Sequence, residues 1–180
     1  MVKPEFDVSY APARGPVLLL SCMDLRLMDE VAQFMAHDGL VNRYDHVILA
    51  GAALGALGAN CDDYQHWKRT FQDHLETAYK LHAIKDVYIL EHRDCGAYKE
   101  FLGKDGTFSD DESEQERDVH CRYAEQLSSE VQAWATEIGA KITVKAFLMD
   151  LRGNVSLLSN CKPKKPRKKT TKRKTKKTKK

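Results

Sequence analysis

Val87-Tyr88-Ile89-Leu90, running through Glu91 into His92-Arg93-Asp94-Cys95-Gly96, is the stretch that decides how this chain folds. A second stretch has the same design: Pro16-Val17-Leu18-Leu19-Leu20-Ser21 runs into Cys22-Met23-Asp24-Leu25-Arg26. Short, fully apolar runs of this length are expected of strands buried on both faces, as in a parallel sheet. Each strand then ends in polar residues that carry chemistry. Cys22, His92 and Cys95 together offer two thiolates and an imidazole, the donor set zinc takes when one coordination position stays open.

Outward from these two runs, the spacing predicts two more strands, His46–Ala50 and Ile142–Met149. Between the strands, apolar residues recur at helical intervals. Met28, Val31, Phe34 and Met35 form one stripe. Trp67, Phe71, Leu75, Ala78 and His82 form a second, with Leu81 at its edge and Asp62 or Asp63 as N-cap. Val119, Tyr123, Leu127, Val131, Trp134 and Ile138 form a third. Strands alternating with helices predict an α/β fold, a mostly parallel β-sheet flanked by helices. Ligands in such sheets lie off the carboxyl ends of the strands, where both polar clusters fall. Residues 51–59 are small and largely apolar, a loop suited to close packing. Residues 1–15 read as an irregular arm, and Arg152-Gly153-Asn154 as a turn.

The charge is divided sharply. The chain has 180 residues, with 29 Lys and Arg and 26 Asp and Glu. From Lys162 onward there are 13 basic residues and no acidic one, which leaves 16 basic against 26 acidic before it. Residues 1–161 are therefore expected to form one zinc-binding domain and residues 162–180 a disordered Lys/Arg-rich tail. Pro163–Lys169 is similar to a basic nuclear-import sequence, and the same charge could hold nucleic acid or another polyanion by counterion release. A tail with no dedicated partner is the third reading. Five cysteines in no obvious framework suggest a reducing compartment, with Cys61, Cys121 and Cys161 as free thiols. No apolar run reaches membrane length, so the expectation is a cytoplasmic protein, with a nuclear location open through the tail.

The first cluster also suggests how an open metal position would be kept open. Asp24 could occupy it and shut the site, or it could orient a water there. A bidentate pair with Arg26 would hold the carboxylate off the metal. Asp94, between two candidate ligands, is either a group that orients one of them or a solvated loop residue.

Cys-x-Asp-x-Arg followed about 70 residues later by His-x-x-Cys-Gly resembles the signature of the β-class carbonic anhydrases. The likeness extends over roughly residues 14–158 and includes Phe71–Ile84 and Val144–Gly153. Position by position, it implies Cys22, His92 and Cys95 as zinc ligands and Asp24 and Arg26 as the catalytic pair. It further implies a homodimer or higher even oligomer and a zinc enzyme that reversibly hydrates carbon dioxide to bicarbonate. The chain departs from the family at Leu49-Ala50-Gly51-Ala52-Ala53, where Arg-Asn-Ala-Gly-Asn is usual. Two other expectations stand beside this one: a related zinc hydrolase acting on carbon disulfide or carbonyl sulfide, and an idle zinc module tethered to nucleic acid by the tail.

Overall fold

Val17–Ser21 forms β1, and all five of its residues are buried. The computed structural model describes residues 4–159 and 161, so the predicted tail lies outside the described residues. In chain order the elements are β1, α1 (Met28–His37), β2 (Tyr44–Ile48), α2 (Ala53–Ala56), α3 (Gln65–His82), β3 (Asp86–His92), α4 (Gly96–Leu102), α5 (Ser113–Glu137), β4 (Thr143–Met149) and β5 (Val155–Leu157). They build one five-stranded sheet in the order β2-β1-β3-β4-β5. Strands β1 to β4 run parallel, and β5 is antiparallel to β4. This is the mostly parallel, helix-flanked α/β sheet that the sequence predicts.

Side-chain alternation along the strands sorts the core into two layers. Leu18, Leu20, Val87 and Ile89 face Phe71 and Leu75 of α3 and Leu127 and Val131 of α5. Val17, Leu19, Tyr88 and Leu90 face Val31, Phe34 and Met35 of α1. Because both faces are covered, the central strands need apolar residues at every position. That requirement is why their sequence shows no alternation.

The strand order places a topological switch between β1 and β3. From β1 the chain crosses to β2 on one side, and β3 and β4 extend the sheet on the other. Ser21 stands opposite Leu90 in the β1–β3 register. Cys22 and His92 therefore emerge side by side at the carboxyl end of the sheet, where strand connections diverge and leave a crevice.

Several local expectations change. The second strand lies two residues earlier than predicted, at Tyr44–Ile48, because Val17 pairs with Tyr44 and the chain leaves the sheet after Ile48. Leu49 N–H still reaches Ser21 O at 3.0 Å. Asp62 and Asp63 do not cap α3 with their side chains; they lie in a short 3-10 turn before it. Of the α3 stripe, Phe71, Leu75 and Ala78 are buried, while Leu81 is 70% exposed. His82, at the helix end, pairs instead with Asp45 at 2.7 Å. The amino-terminal arm is not wholly irregular: Phe6 bridges Val155 of β5 and packs its ring against Phe34 and His37. Strand β5 itself has only three residues, too few for a periodic signal. It follows the expected turn, in which Asp150 Oδ1 accepts from the N–H groups of Arg152 and Asn154.

The cysteine expectation needs correction. Cys121 of α5 and Cys161 are joined as a disulfide, and the free thiols among the described residues are Cys22, Cys61 and Cys95. Their sequence separation of 40 residues hides the pairing. Helix α5 packs on the sheet, and Cys121 there meets Cys161. No described helix is long and apolar enough to cross a membrane.

Candidate metal centre

Cys22 leaves β1 at the switch point, His92 is the last residue of β3, and Cys95 precedes the first turn of α4. Their ligand atoms all lie within 4.8 Å of one another. The two sulfurs are 3.8 Å apart. Two Zn–S bonds of about 2.3 Å at a tetrahedral angle would put sulfurs about 3.8 Å apart, so the spacing already suits the ion. His92 Nδ1 donates to the backbone oxygen of Arg93 at 2.9 Å, and this leaves Nε2 as the free ring nitrogen. Nε2 is buried without a hydrogen-bond partner. An orphaned imidazole nitrogen is costly unless something binds it, and here it faces two sulfurs. The donors, their spacing and the orphaned atom all fit zinc.

Asp24 stands two residues past Cys22 and is claimed by Arg26. Arg26 Nε donates to Oδ1 at 2.9 Å and Nη2 to Oδ2 at 2.7 Å, a bidentate pair. The Arg26 backbone N–H adds a third bond to Oδ1 at 3.0 Å. These bonds hold the Asp24 carboxyl down at about 2, mainly through the guanidinium, although partial burial opposes the shift. Oδ2 is 3.8 Å from His92 Nε2, close to the three donors but not one of their group. Arg26 is itself held from a second side. Its Nη1 donates to Asp94 Oδ2 at 3.0 Å and its Nη2 to Asp94 O at 3.1 Å. Lys99 Nζ completes the chain on Asp94 Oδ1 at 2.6 Å. Asp94 is an exposed loop residue, the second of its two readings, and its carboxylate pairs with Arg26 and Lys99 instead of with a candidate ligand.

The thiols are electrostatically unequal. The hydrogen bond shared with Cys95 and the neighbouring His92 draw the Cys22 thiol down, against the effect of burial. The Cys95 thiol moves up, because of the same hydrogen bond and its own burial. Gly51 N–H also points at Cys22 Sγ, 3.2 Å away. A bound ion requires both thiols to be deprotonated, and the lowered Cys22 thiol yields its proton the more readily.

At the donors lies a cavity of about 10 Å³, lined by Leu27, Val31, Leu90 and Met149 together with Ser21, Cys22, Asp24 and His92. It has room for one water-sized molecule. Four exposed apolar side chains flank this region in sequence or space: Met23, Leu25, Met28 and Leu151, with Leu25 87% exposed.

Two residues near the centre escaped the sequence reading as participants. Glu91 is 1% exposed, with Oε1 accepting from Ala53 N–H at 2.8 Å and Oε2 from His120 Nδ1 at 2.8 Å. A charged residue at the end of an otherwise apolar strand was the available signal, since it must be buried and therefore paired. Its partner could not be read, because His120 lies on a helix 29 residues away. His74 is exposed on α3, where its ring is bonded to Thr70 O.

Comparison with known proteins agrees with this geometry. The family described as "Putative carbonic anhydrase" matches residues 15–148. An uncharacterized protein of Rickettsia bellii (strain RML369-C) is 34% identical over 136 residues, which is 76% of this chain and 77% of that one. An uncharacterized protein of Rickettsia conorii is 42% identical over 88 residues, about half of each chain: 49% of this one and 46% of that one. Among solved structures, the fold is similar to the β-carbonic anhydrase CafD of Aspergillus fumigatus, with a TM-score of 0.57 at 13% identity, covering 87% of this chain and 98% of that one. It is also similar to a tetrameric β-carbonic anhydrase of Sordaria macrospora, with a TM-score of 0.53 at 14% identity over 81% and 82% of the two chains. The motifs, the switch-point placement of the donors and the match over residues 15–148 lead to one conclusion: the chain is a divergent member of the carbonic anhydrase family.

Proposed function

We propose that this protein is a zinc-dependent carbonic anhydrase that reversibly hydrates carbon dioxide to bicarbonate. The observation that carries the reading is the orphaned His92 Nε2, facing Cys22 and Cys95 beside an Asp24 locked by Arg26. Cys22, His92 and Cys95 would hold the ion. Bound zinc acidifies water and makes it a nucleophile near neutral pH. The two thiolates cancel the charge of the ion, so that effect is weaker here than with three imidazoles. Activity is expected to rise toward mildly alkaline pH.

The chain's own residues supply position. Arg26 bonds both oxygens of Asp24 and keeps the carboxylate ionised and in place. Asp24, with lone pairs remaining, accepts a hydrogen bond from the attacking water and fixes its direction. The apolar side chains of Leu27, Val31, Leu90 and Met149 beside the donors offer a small apolar substrate a compatible lining. The exposed apolar residues around the centre and the likeness to a tetrameric enzyme support an even oligomer, to be measured by light scattering.

Stopped-flow hydration of carbon dioxide by zinc-loaded protein tests the reading. A rate above the buffer blank that rises between pH 7 and pH 9 is expected. Rates equal to the blank at both pH values overturn it.

A further inference from the structure

Gly51 N–H reaches the Cys22 sulfur only because of an unusual backbone turn. Gly51 has φ +77° and Ala52 φ +43°, the second in a region that L residues rarely occupy. The turn is followed by α2, four buried residues with no side-chain cap at their start. Such a short helix cannot hold a strained turn by itself. Within the turn Ala52 N–H bonds Leu49 O and Leu54 N–H bonds Gly51 O, and Glu91 Oε1 ties it to the sheet by accepting the Ala53 N–H at 2.8 Å. The other oxygen of Glu91 accepts from His120 Nδ1, and the His120 ring packs at a tilt against Tyr98 with centroids 4.0 Å apart. Both Glu91 and His120 are buried, at 1% and 0% exposure. Glu91 directly precedes His92, and strand alternation sends its side chain to the opposite face of the sheet. One strand end therefore presents a candidate ligand on one face and a brace for the turn on the other.

We propose that Glu91 is a positioning residue for the metal thiolate: through Ala53 it fixes the 51–53 turn, and through Gly51 N–H it holds and polarises the Cys22 sulfur. The inference rests on the zinc reading above and goes beyond it in assigning the buried Glu91–His120 pair a role toward the metal. A hydrogen bond to a thiolate withdraws electron density from sulfur. It makes the sulfur a weaker donor to the ion and leaves the ion a stronger Lewis acid. Partners of this kind, one step removed from the metal, typically change metal affinity or activity 10–100-fold.

The test uses cobalt(II) in place of zinc, because its sulfur-to-metal charge-transfer band reports the donor strength of the thiolates. In Glu91→Ala the band is expected to move to lower energy because the sulfur regains donor strength, while metal affinity, measured by chelator competition, is expected to fall about 10–100-fold because the loss of a fixed position outweighs that gain. Glu91→Gln keeps an acceptor for Ala53 N–H, and its amide can donate to the other His120 tautomer. It is expected to restore both readouts. Leu127→Ala, a core truncation in α5 away from the donors, is expected to lower the melting temperature with the band unmoved. Glu91→Met fills the same volume without an acceptor and serves if the Ala variant does not fold. A Glu91→Ala or Glu91→Met protein with wild-type band and affinity overturns the proposal, as does a Gln variant that behaves like Ala. A wild-type protein with no charge-transfer band overturns the metal reading itself, and this inference with it.

Discussion

Removing the Arg26 side chain separates what the Asp24–Arg26 pair does for stability from what it does for function. In Arg26→Ala, Asp24 loses the bonds from Nε and Nη2, at 2.9 and 2.7 Å, and its carboxyl returns from about 2 toward 3.8. That is nearly two pKa units, or about 2.4 kcal/mol at 1.36 kcal/mol per unit. The Arg26 side chain is 43% exposed, so screening reduces the figure to about 1 kcal/mol. The sign follows from linkage. Asp24 is depressed in the folded state, so its contribution is complete above the unfolded value near 4 and fades as pH falls toward 2. The two proteins should differ by about 1 kcal/mol in urea unfolding at pH 7, and the gap should close below pH 3. The rate should respond far more. An unlocked carboxylate can swing toward the open metal position or lose its aim, and misplacement of about 1 Å costs about 100-fold. Carbon dioxide hydration should therefore fall about 100-fold while zinc content holds. A variant with full zinc and a hydration rate within threefold of wild type would refute the assignment of Asp24 and Arg26.

Other perturbations probe the centre and its frame. Cys22→Ser, His92→Ala and Cys95→Ser should each reduce bound zinc from about one equivalent to a small fraction by elemental analysis, since three protein donors are the minimum for such a site. Thiol titration of the unfolded, unreduced protein should find Cys22, Cys61 and Cys95 free, and reduction should add Cys121 and Cys161. Chain-entropy reasoning for a loop of 40 residues predicts a loss of about 4 kcal/mol in Cys161→Ser, read from the denaturant midpoint. Phe34→Ala empties a fully buried site between α1 and the sheet and should cost about 3–5 kcal/mol, without changing the zinc stoichiometry of the protein that remains folded.

The positions of Cys22, His92 and Cys95 could be read directly from the chain because each adjoins an apolar run whose buried state is unambiguous. Asp24 and Arg26 were equally legible, since residues two and four past Cys22 have little freedom to be elsewhere. The edges of the sheet were not. β2 pairs on one side only and carries just one fully buried residue, so its pattern is weak and its boundary shifted by two residues. β5 and the arm at Phe6 have too few residues to show any period. The disulfide and the Glu91–His120 pair join positions 40 and 29 residues apart, and local sequence carries no information about such distances.

By itself, then, the sequence determined the two strand ends, the candidate donors that follow each of them and the nearness of Asp24 to Arg26, because each depends on neighbours within a few residues. Tertiary structure decided the rest: that β1 and β3 lie side by side at the switch point, that Asp94 steadies Arg26, and that Gly51 N–H meets Cys22. Those facts depend on the strand order β2-β1-β3-β4-β5 and on where α5 crosses the sheet. That order is a choice among many packings of the same strands and helices, made by the energy of the whole core.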